Sequence, residues 1–510
     1  MISKIFCITV NGLESEIIEV EVDINAGLPN FTIVGLPDTS VQESKERLRS
    51  ALKSSNFKLP TSRITVNLAP ADIKKTWPSF DVSIAVGILF NMWDIKKEEY
   101  IKKSIFLWEL SLDGSIRPIS AILPSVIWAK EKGYKHIFVP YDNFYEASIV
   151  DGIEIIATPS LWDLVAHLNG KKSIRNPEKA NLSEKKDIFH SKYDFAHIVG
   201  QNQAKRALEI AAAWLHNIVL SGPPGSGKTL LAKTFSTILP ELTLDEMIEI
   251  SKIYSISWLL SKDMPLITQR PFRTIHHTAS AISIIGWWRN ARPGEISLAH
   301  KWVLFLDEVL EFPKTVLEVL RQPLEDGTIS VNRVNSSYTY PAKFIFLGAM
   351  NPCPCGYLTD PDKACICSQD QIKRYNAKLS WPMVDRIDMM IEVPKVKVDD
   401  FTLKTKTRAI ENSQTIALRV KKAREIQLKR FQEVKITSNS QMTSKEVEVF
   451  CVLDSEGEKM MKQALQTMNL SARAYFRVLK LARTIADLEE SQDIKVFHIA
   501  EALSYRKGEN

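Results

Sequence analysis

The stretch "NIVLSGPPGSGKTLLAKTF", residues 217–235, decides the fold class of the chain. A short apolar strand pattern enters a turn that matches G-x-x-x-x-G-K-[ST], and an apolar helix pattern leaves it. Such a turn directs backbone N–H groups at phosphate oxygens, beside the positive end of the helix dipole. The pattern predicts a nucleotide site in an α/β domain, formed by Gly222, Pro223, Pro224, Gly225, Ser226, Gly227, Lys228 and Thr229.

A second apolar strand pattern lies downstream in "HKWVLFLDEVLEF", residues 300–312, and it ends in two carboxylates. A nucleotide site of this kind needs such a pair. We expect Asp307, with Thr229, to bind Mg²⁺ and Glu308 to polarise the attacking water, while Lys228 reaches the terminal phosphates of ATP. The simpler alternative is an acidic strand end that only caps a helix.

Three further polar residues follow in the order used by ring-forming ATPases. "FIFLGAMNPCPCG" is a third buried strand pattern that ends at Asn351, "LSWPMVDRID" presents Arg386, and Arg473 lies near the start of a long helix pattern. Enzymes of this type use a polar sensor beside the acidic strand, an arginine from a neighbouring subunit and an arginine from a helical lid.

The chain resembles the ComM-type, magnesium-chelatase-like family of AAA+ ATPases over nearly its whole length. The resemblance rests on long and unusual stretches, which include "GLPDTSVQESKERLRSAL", "RITVNLAPADIKK", "RPFRTIHHTAS", "RPGEISLAH", "VLFLDEVLEF", "NPCPCG", "SARAYFRVLKLARTIADLE" and "HIAEALSYR". It implies a hexameric ring that hydrolyses ATP and acts on single-stranded or branched DNA, driving branch migration in recombination or natural transformation.

The same resemblance assigns roles to individual residues. Asn351 is expected to be sensor 1, Arg386 the arginine finger that acts in trans, and Arg473 sensor 2. The adenine is expected to border Val199, Gly200 and Gln201.

Three domains are expected. A charged stretch without apolar periodicity, 169–192, reads as a linker between an α+β domain at 1–168 and a P-loop AAA+ α/β core at 193–397, and a basic, helical pattern fills 398–510 as a lid. Residues 108–140 resemble the proteolytic domain of Lon-type proteases, which shares an S5-like fold. Ser79 falls at the place of the nucleophile, but Leu123 takes that of the lysine, so we expect no peptidase activity.

The net charge and the length of the apolar runs indicate where in the cell the protein is located. The net charge of +6 permits an anionic partner without requiring one. The longest apolar run, 82–93, is too short to cross a bilayer, and the N-terminus reads as a strand and not as a signal peptide. We therefore expect a cytoplasmic protein without a membrane partner.

Four of the six cysteines form two close pairs, Cys353 with Cys355 and Cys365 with Cys367. Two paired thiolates can complete a tetrahedral Zn²⁺ site, although C-x-C is tighter than the usual spacing. Reduced free thiols and redox-active disulfides are the alternatives.

Tryptophan repeatedly stands where the family pattern has glycine. Glycine numbers only 19 in 510 residues, whereas the usual share of about 7% gives roughly 36. We predict a gene in which UGA encodes glycine and is rendered here as tryptophan; genuine surface tryptophans are the alternative. The nine positions are Trp77, Trp93, Trp108, Trp214, Trp258, Trp287, Trp288, Trp302 and Trp381.

The DNA contacts are expected between the two nucleotide motifs, where Arg270, Arg273, Arg289 and Arg292 are candidates for phosphate contacts. The neighbouring pair at 276–277 reads as polar loop histidines in preference to metal ligands. Besides a DNA-remodelling motor, three functions remain open: the ATPase subunit of a metal chelatase, a protein-remodelling ATPase, and a binding module whose ATP cycle only switches assembly.

Overall fold

The computed structural model has two β-sheets flanked by helices, followed by a helical C-terminal part. The mixed α/β class is therefore confirmed. The structure describes residues 2–36, 41, 43–71, 80–92, 95, 98–179, 192–286, 292–333, 336–396, 411–434, 436–468 and 470–506.

The N-terminal sheet has seven strands in the order β3-β4-β2-β1-β5-β8-β9. The β1–β2 and β2–β4 pairs are antiparallel and the other pairs are parallel. Apolar side chains from strands and helices form cores on the two faces of this sheet. The strands are β1 Ile2–Asn11, β2 Glu14–Asn25, β3 Asn30–Val34, β4 Arg63–Ala69, β5 Ser104–Phe106, β8 His136–Pro140 and β9 Glu154–Thr158, with a separate hairpin of β6 Glu109–Leu110 and β7 Ile116–Arg117.

The second sheet positions the nucleotide motifs. Its five strands are all parallel, so their carboxyl ends meet along one edge, and their order is β11-β12-β15-β10-β16. Strands β10, β12 and β15 are buried along their whole length, as expected for a parallel sheet covered on both faces. The strands are β10 Ile218–Ser221, β11 Phe272–Ile275, β12 Val303–Leu306, β15 Ile345–Met350 and β16 Met389–Glu392.

An antiparallel hairpin lies between β12 and β15 in the chain, although these two strands are neighbours in the second sheet. It consists of β13 Thr328–Arg333 and β14 Ser336–Pro341. The turn between β1 and β2 approaches it closely, because a Cβ at Gly12 would lie 3.0 Å from the Tyr338 ring. The N-terminal domain therefore touches this hairpin.

The helices cover both sheets and then continue alone to the C-terminus. The helix at 413–430 packs on the one at 202–214, and one apolar core runs through the second sheet and the C-terminal helices. The C-terminal part is thus helical, while its role as a lid and the domain boundaries stay predictions.

The helices of the N-terminal domain are α1 Ser44–Ser54, α2 Asp81–Asn91, α3 Glu98–Lys102, α4 Ile122–Glu131, α5 Phe144–Ala147 and α6 Leu161–Leu168. Those of the second domain are α7 Asn202–Trp214, α8 Lys228–Phe235, α9 Leu244–Ile256, α10 Ala281–Ile285, α11 Glu295–Leu298, α12 Lys314–Val319, α13 Arg321–Asp326, α14 Gln369–Asn376 and α15 Trp381–Val384. The C-terminal helices are α16 Ser413–Arg430, α17 Ser444–Phe450, α18 Ser455–Thr467, α19 Ala472–Leu488 and α20 Val496–Ser504.

No helix among the described residues is long and apolar enough to cross a membrane. The apolar run at 82–93 lies mostly in α2, whose residues from Asp81 to Leu89 are buried inside the N-terminal domain.

Four of the suspect tryptophans occupy positions that disfavour an indole. Trp258 has a φ of 60°, in the left-handed region that favours glycine. Trp108, Trp214 and Trp302 are fully buried, and within the described residues their indole N–H groups have no hydrogen-bond partner. Trp381 is 56% exposed, so its position favours neither a native glycine nor a native tryptophan. The remaining four, at 77, 93, 287 and 288, lie outside the described residues.

Candidate nucleotide-binding site

The P-loop, residues 222–229, runs from the end of β10 to the start of α8. Gly227 has a φ of 90° and forms the N-cap of α8, a conformation that glycine adopts without penalty. A Cβ at Gly222 would collide with the carbonyl oxygen of Val393. The glycines are thus required by the turn and by the close approach of the segment that follows β16.

Lys228 lies at the centre of the loop. Its Nζ donates to the carbonyl oxygens of Gly222 and Pro223, at 2.7 and 2.9 Å, and lies 3.4 Å from Oδ1 of Asn351. Burial lowers the pKa of Lys228, an effect that the negative charges of Asp307 and Glu308 partly offset. The predicted phosphate ligand and the predicted sensor are therefore neighbours.

The candidate magnesium ligands also meet. Thr229 Oγ1 donates a hydrogen bond of 2.9 Å to Oδ2 of Asp307, at the end of β12. A hydroxyl and a carboxylate are hard oxygen ligands that suit Mg²⁺ together with phosphate oxygens. The two residues thus fit the ion that their motifs imply.

Glu308 holds a conformation that few residues adopt. Its φ is 54°, and its backbone N–H donates to Asp307 Oδ1 at 3.1 Å. Left-handed backbone at a non-glycine residue is concentrated at functional sites, where it aims a side chain. The Glu308 side chain is 55% exposed, as a residue that meets substrate must be.

His277 is a neighbour of Glu308 that the sequence analysis treated as a polar loop residue. Its Nδ1 lies 3.7 Å from Oε2 of Glu308, and its ring centroid lies 4.2 Å from that of His276, with the two ring planes tilted by 33°. Both histidines follow β11, which pairs with β12, so the parallel sheet brings them to the edge where Glu308 lies. A histidine pair just after a strand of this sheet was the signal that could have predicted the contact.

The segment expected to border the adenine lies beside the P-loop. Gln201 caps α7 with a φ of 55°, and its side-chain amide donates to the Pro394 carbonyl oxygen at 2.6 Å. The residue before Pro394 is Val393, whose N–H bonds to Ser221 at the base of the P-loop. Val199 and Gly200 precede Gln201 directly, so all three predicted residues lie near the loop.

Arg386 and Arg473 lie together, away from the P-loop. Both form ion pairs with the carboxylate of Glu325, and Arg473 Nη1 also lies 3.8 Å from Asp385 Oδ2. The pKa of Glu325 is below its usual range, because the two guanidinium groups outweigh the opposing effect of burial.

The backbone contact of Arg386 shows how far this residue lies from the P-loop. The side-chain amide of Asn217, just before β10, donates to the Arg386 carbonyl oxygen at 3.0 Å, whereas the P-loop begins just after β10. At ~3.3 Å per strand residue these points are roughly 16 Å apart. The two arginines therefore lie at the sheet edge opposite their own P-loop.

A buried ionic network supports this edge. Asp388 accepts from Arg477 Nη1 at 2.7 Å and from the Asn217 N–H at 2.9 Å, and His216 Nδ1 lies 3.3 Å from its Oδ2. Burial alone would raise the pKa of Asp388, but Arg477, His216 and the Asn217 N–H hold it well below its usual range.

The four clustered cysteines converge in the loop after Asn351. Their sulfur atoms all lie within 4.8 Å of one another. The distances from Cys353 to Cys355, from Cys353 to Cys365 and from Cys355 to Cys365 are 3.4, 3.6 and 3.6 Å.

Two of the candidate phosphate contacts already have hydrogen-bond partners within the subunit, and their contact with DNA stays a prediction. Arg270 is mostly buried, with its guanidinium bonded to the carbonyl oxygens of Pro240 and Lys301 and to the Glu246 carboxylate. Arg273 forms a bidentate pair with Glu295, at 2.7 and 2.6 Å. Among the four candidates Arg292 is exposed, and Arg289 lies outside the described residues.

Leu123 is fully buried in α4 and brings no proton acceptor to the N-terminal domain, while Ser79 lies outside the described residues. The absence of peptidase activity and the S5-like fold stay predictions.

Comparison with known proteins agrees with this site. The family models described as "Subunit ChlI of Mg-chelatase", "Magnesium chelatase, subunit ChlI" and "Magnesium chelatase, subunit ChlI C-terminal" match residues 20–143, 194–401 and 410–506. Competence protein ComM of Haemophilus influenzae is 40% identical over 503 residues, which cover 97% of this chain and 95% of that protein. This chain belongs to the ComM/YifB-type, magnesium-chelatase-like family of AAA+ proteins.

Two other relatives match different shares of this chain. The uncharacterized protein YifB of Escherichia coli K12 is 38% identical over 498 residues, covering 97% of this chain and 95% of YifB. Lon protease 2 of Bacillus subtilis is 28% identical over 179 residues, 31% of this chain and 32% of the protease. The ComM/YifB-type assignment is confirmed over nearly the whole length of the chain, and membership of this family implies an AAA+ ATPase that uses ATP and Mg²⁺.

Proposed function

We propose that the chain is a DNA-remodelling motor, a hexameric ring that couples ATP hydrolysis to branch migration in recombination or natural transformation. The observation that carries the ring is the placement of Arg386 and Arg473 at the sheet edge opposite their own P-loop. A site that needs these charges must receive them from a second copy of the chain. The relative named competence protein ComM supports DNA as the substrate.

Each side chain of the site has a task in this proposal. Lys228 holds the terminal phosphates, Thr229 and Asp307 hold Mg²⁺, and Glu308 orients the attacking water and accepts its proton. When bound, Mg²⁺ supplies positive charge that neutralises the phosphate oxygens. Asn351, 3.4 Å from Lys228 Nζ, fixes the position of the terminal phosphate.

The two arginines act on the nucleotide of the neighbouring subunit. Their shared partner, Glu325, holds both guanidinium groups at one place, where the Arg473 side chain is half-buried and that of Arg386 mostly buried in the single subunit. In the proposed ring they approach a neighbour's phosphates as a pair. An arginine supplied in trans stabilises the charge of the transition state and makes hydrolysis depend on assembly.

The decisive experiment measures ATP hydrolysis with forked, four-way and single-stranded DNA, on protein carrying glycine at the nine suspect positions. DNA stimulation that weakens as salt rises supports the motor, because phosphate contacts release counterions. Conversion of a synthetic four-way junction into products must require ATP and must be lost in Glu308→Gln. Hydrolysis indifferent to every DNA would contradict the proposal.

A second candidate is the ATPase subunit of a metal chelatase, which the descriptions of the matching family models favour. In that case DNA leaves hydrolysis unchanged, and insertion of Mg²⁺ into a porphyrin depends on this chain together with its partner subunits. The DNA assay therefore separates the two functions directly.

A further inference from the structure

The cysteine cluster, Cys353, Cys355, Cys365 and Cys367, has the geometry of a tetrahedral metal site. With Zn–S bonds of about 2.3 Å, sulfur atoms in a tetrahedron are about 3.8 Å apart. The measured distances from 3.4 to 3.6 Å are close to that value, and all four sulfurs lie within 4.8 Å. A disulfide needs about 2.05 Å between two sulfurs, which is shorter than each of these three distances.

Backbone N–H groups lie beside two of the sulfur atoms in the cluster. The N–H groups of Tyr357 and Ile366 face the sulfur of Cys355, and those of Gly356 and Leu358 face the sulfur of Cys353. Such N–H groups stabilise the negative charge of metal-bound thiolates and orient them.

The cluster is also in contact with the nucleotide site. Its first cysteine follows Asn351 by two residues, and Gly356, between the two pairs, lies against the P-loop. A Cβ at Gly356 would be only 2.7 Å from Cδ of Pro224. The Gly222 N–H further bonds to the Met350 carbonyl oxygen at 3.2 Å, so the loop and the P-loop are joined on both sides of Asn351.

We propose that Cys353, Cys355, Cys365 and Cys367 bind one Zn²⁺ ion as thiolates, releasing their protons to solvent, and that this knuckle clamps Asn351 and Pro224 in the geometry that binds ATP. The clamp rests on the proposed ATPase function, whereas the metal site does not. Loss of the ion frees the loop and weakens nucleotide binding without removing any residue that touches the phosphates.

The first experiment measures metal content by atomic emission on the full chain, purified without chelator. We expect one zinc ion per chain, loss of zinc in Cys355→Ser and Cys365→Ser, and retention in Cys451→Ala, a buried cysteine outside the cluster. If the serine variants do not fold, wild type stripped with a chelator and reloaded with zinc replaces them. Two outcomes would overturn the metal site. In the first, the thiols become free after treatment with a reductant but not after treatment with a chelator. In the second, the cluster is fully reduced and contains no metal.

The second experiment tests the clamp by titration with a fluorescent ATP analogue. Zinc removal should weaken affinity about tenfold, the effect of ~1.4 kcal/mol, and zinc should restore it. Gly356→Ala should weaken affinity similarly while keeping its zinc. Its matched control is Gly133→Ala, because both glycines have a φ of 83° but Gly133 has no atom within 4 Å of an added Cβ.

The outcomes separate the two proposals. A chain that binds ATP but no zinc overturns the metal site and leaves the ATPase intact. A chain that holds zinc but binds no ATP overturns the ATPase and the clamp together, and leaves the metal site. Equal affinity with and without zinc overturns the clamp alone.

Discussion

Arg386 and Arg473 are 87 positions apart in the chain and bind the same carboxylate, that of Glu325. One arginine comes from the loop before β16 and the other from the start of α19. The shared partner means that a movement of the C-terminal helices relative to the second sheet changes both positions together. In the ring that we propose, the arginine pair therefore responds to the position of the C-terminal helices.

The first prediction concerns subunit complementation. Lys228→Ala and Arg473→Ala each lower ATP hydrolysis, by about 10³-fold for the loss of an arginine that acts in trans. Mixed rings should regain activity, because the intact P-loop of an Arg473→Ala subunit can meet the intact Arg473 of a Lys228→Ala subunit. Arg374→Ala, on an exposed residue of α14, is the control. Mixtures as inactive as the single variants would place Arg473 at its own P-loop.

The second prediction separates binding from hydrolysis. Lys228→Ala should weaken ATP binding about 10- to 100-fold through the loss of charged hydrogen bonds. Glu308→Gln should bind ATP normally and lower kcat by about 10²- to 10⁴-fold, since it removes the general base. Equilibrium binding and steady-state hydrolysis distinguish the two, and undiminished turnover in Glu308→Gln contradicts the mechanism.

The third prediction concerns His277, whose Nδ1 lies 3.7 Å from Glu308. His277→Ala should lower kcat by up to about fivefold, the effect of ~1 kcal/mol for an exposed polar contact, with little change in KM. The exposed neighbour His276 provides the control variant His276→Ala. Equal effects of the two substitutions would show that the loop matters and the contact does not.

The fourth prediction concerns the buried carboxylate of Asp388. Its pKa is lower in the folded chain than in the unfolded one, so its stabilising contribution is complete above the unfolded value of about 3.9 and disappears as the pH falls through the folded value. Asp388→Asn should cost about 3 to 5 kcal/mol at pH 7, because Arg477 loses its partner, and should flatten the decline in stability below about pH 4.

Urea unfolding between pH 3 and 7 measures this dependence. Asp370→Asn, on an exposed carboxylate of α14, is the control and should leave both stability and its pH dependence unchanged. A parallel loss of stability in wild type and Asp388→Asn below pH 4 would assign the acid sensitivity to other groups.

The fifth prediction concerns the suspect tryptophans. Removing a native buried tryptophan destabilises a protein by about 3 to 5 kcal/mol. If glycine is the native residue, Trp302→Gly and Trp258→Gly instead raise the melting temperature, because they remove an unpartnered buried N–H and a strained backbone. Trp128→Gly, outside the suspect set, should destabilise in either case. UGG codons at these positions would refute the hypothesis that the native residues are glycines encoded by UGA.

Local pattern was enough to predict the P-loop, the acidic strand end and the sensor strand. Each of these motifs is a short strand with a fixed turn after it, and parallel strands bring their carboxyl ends to one edge, so residues 78 and 123 positions apart in sequence were expected together. Thr229 with Asp307 and Lys228 with Asn351 met that expectation. The converging cysteines also follow from paired spacing.

Tertiary structure alone decided where the arginines lie. Their side chains are long and charged, and nothing in their local sequence says which carboxylate they will meet. Arg270 and Arg273, for example, pair with Glu246 and Glu295 within the subunit. His277 reaches Glu308 only because β11 and β12 are neighbours in the sheet. Short-range patterns specify strands, turns and the ligands they carry, whereas strand order and long-range charge pairing depend on the packing of the whole chain.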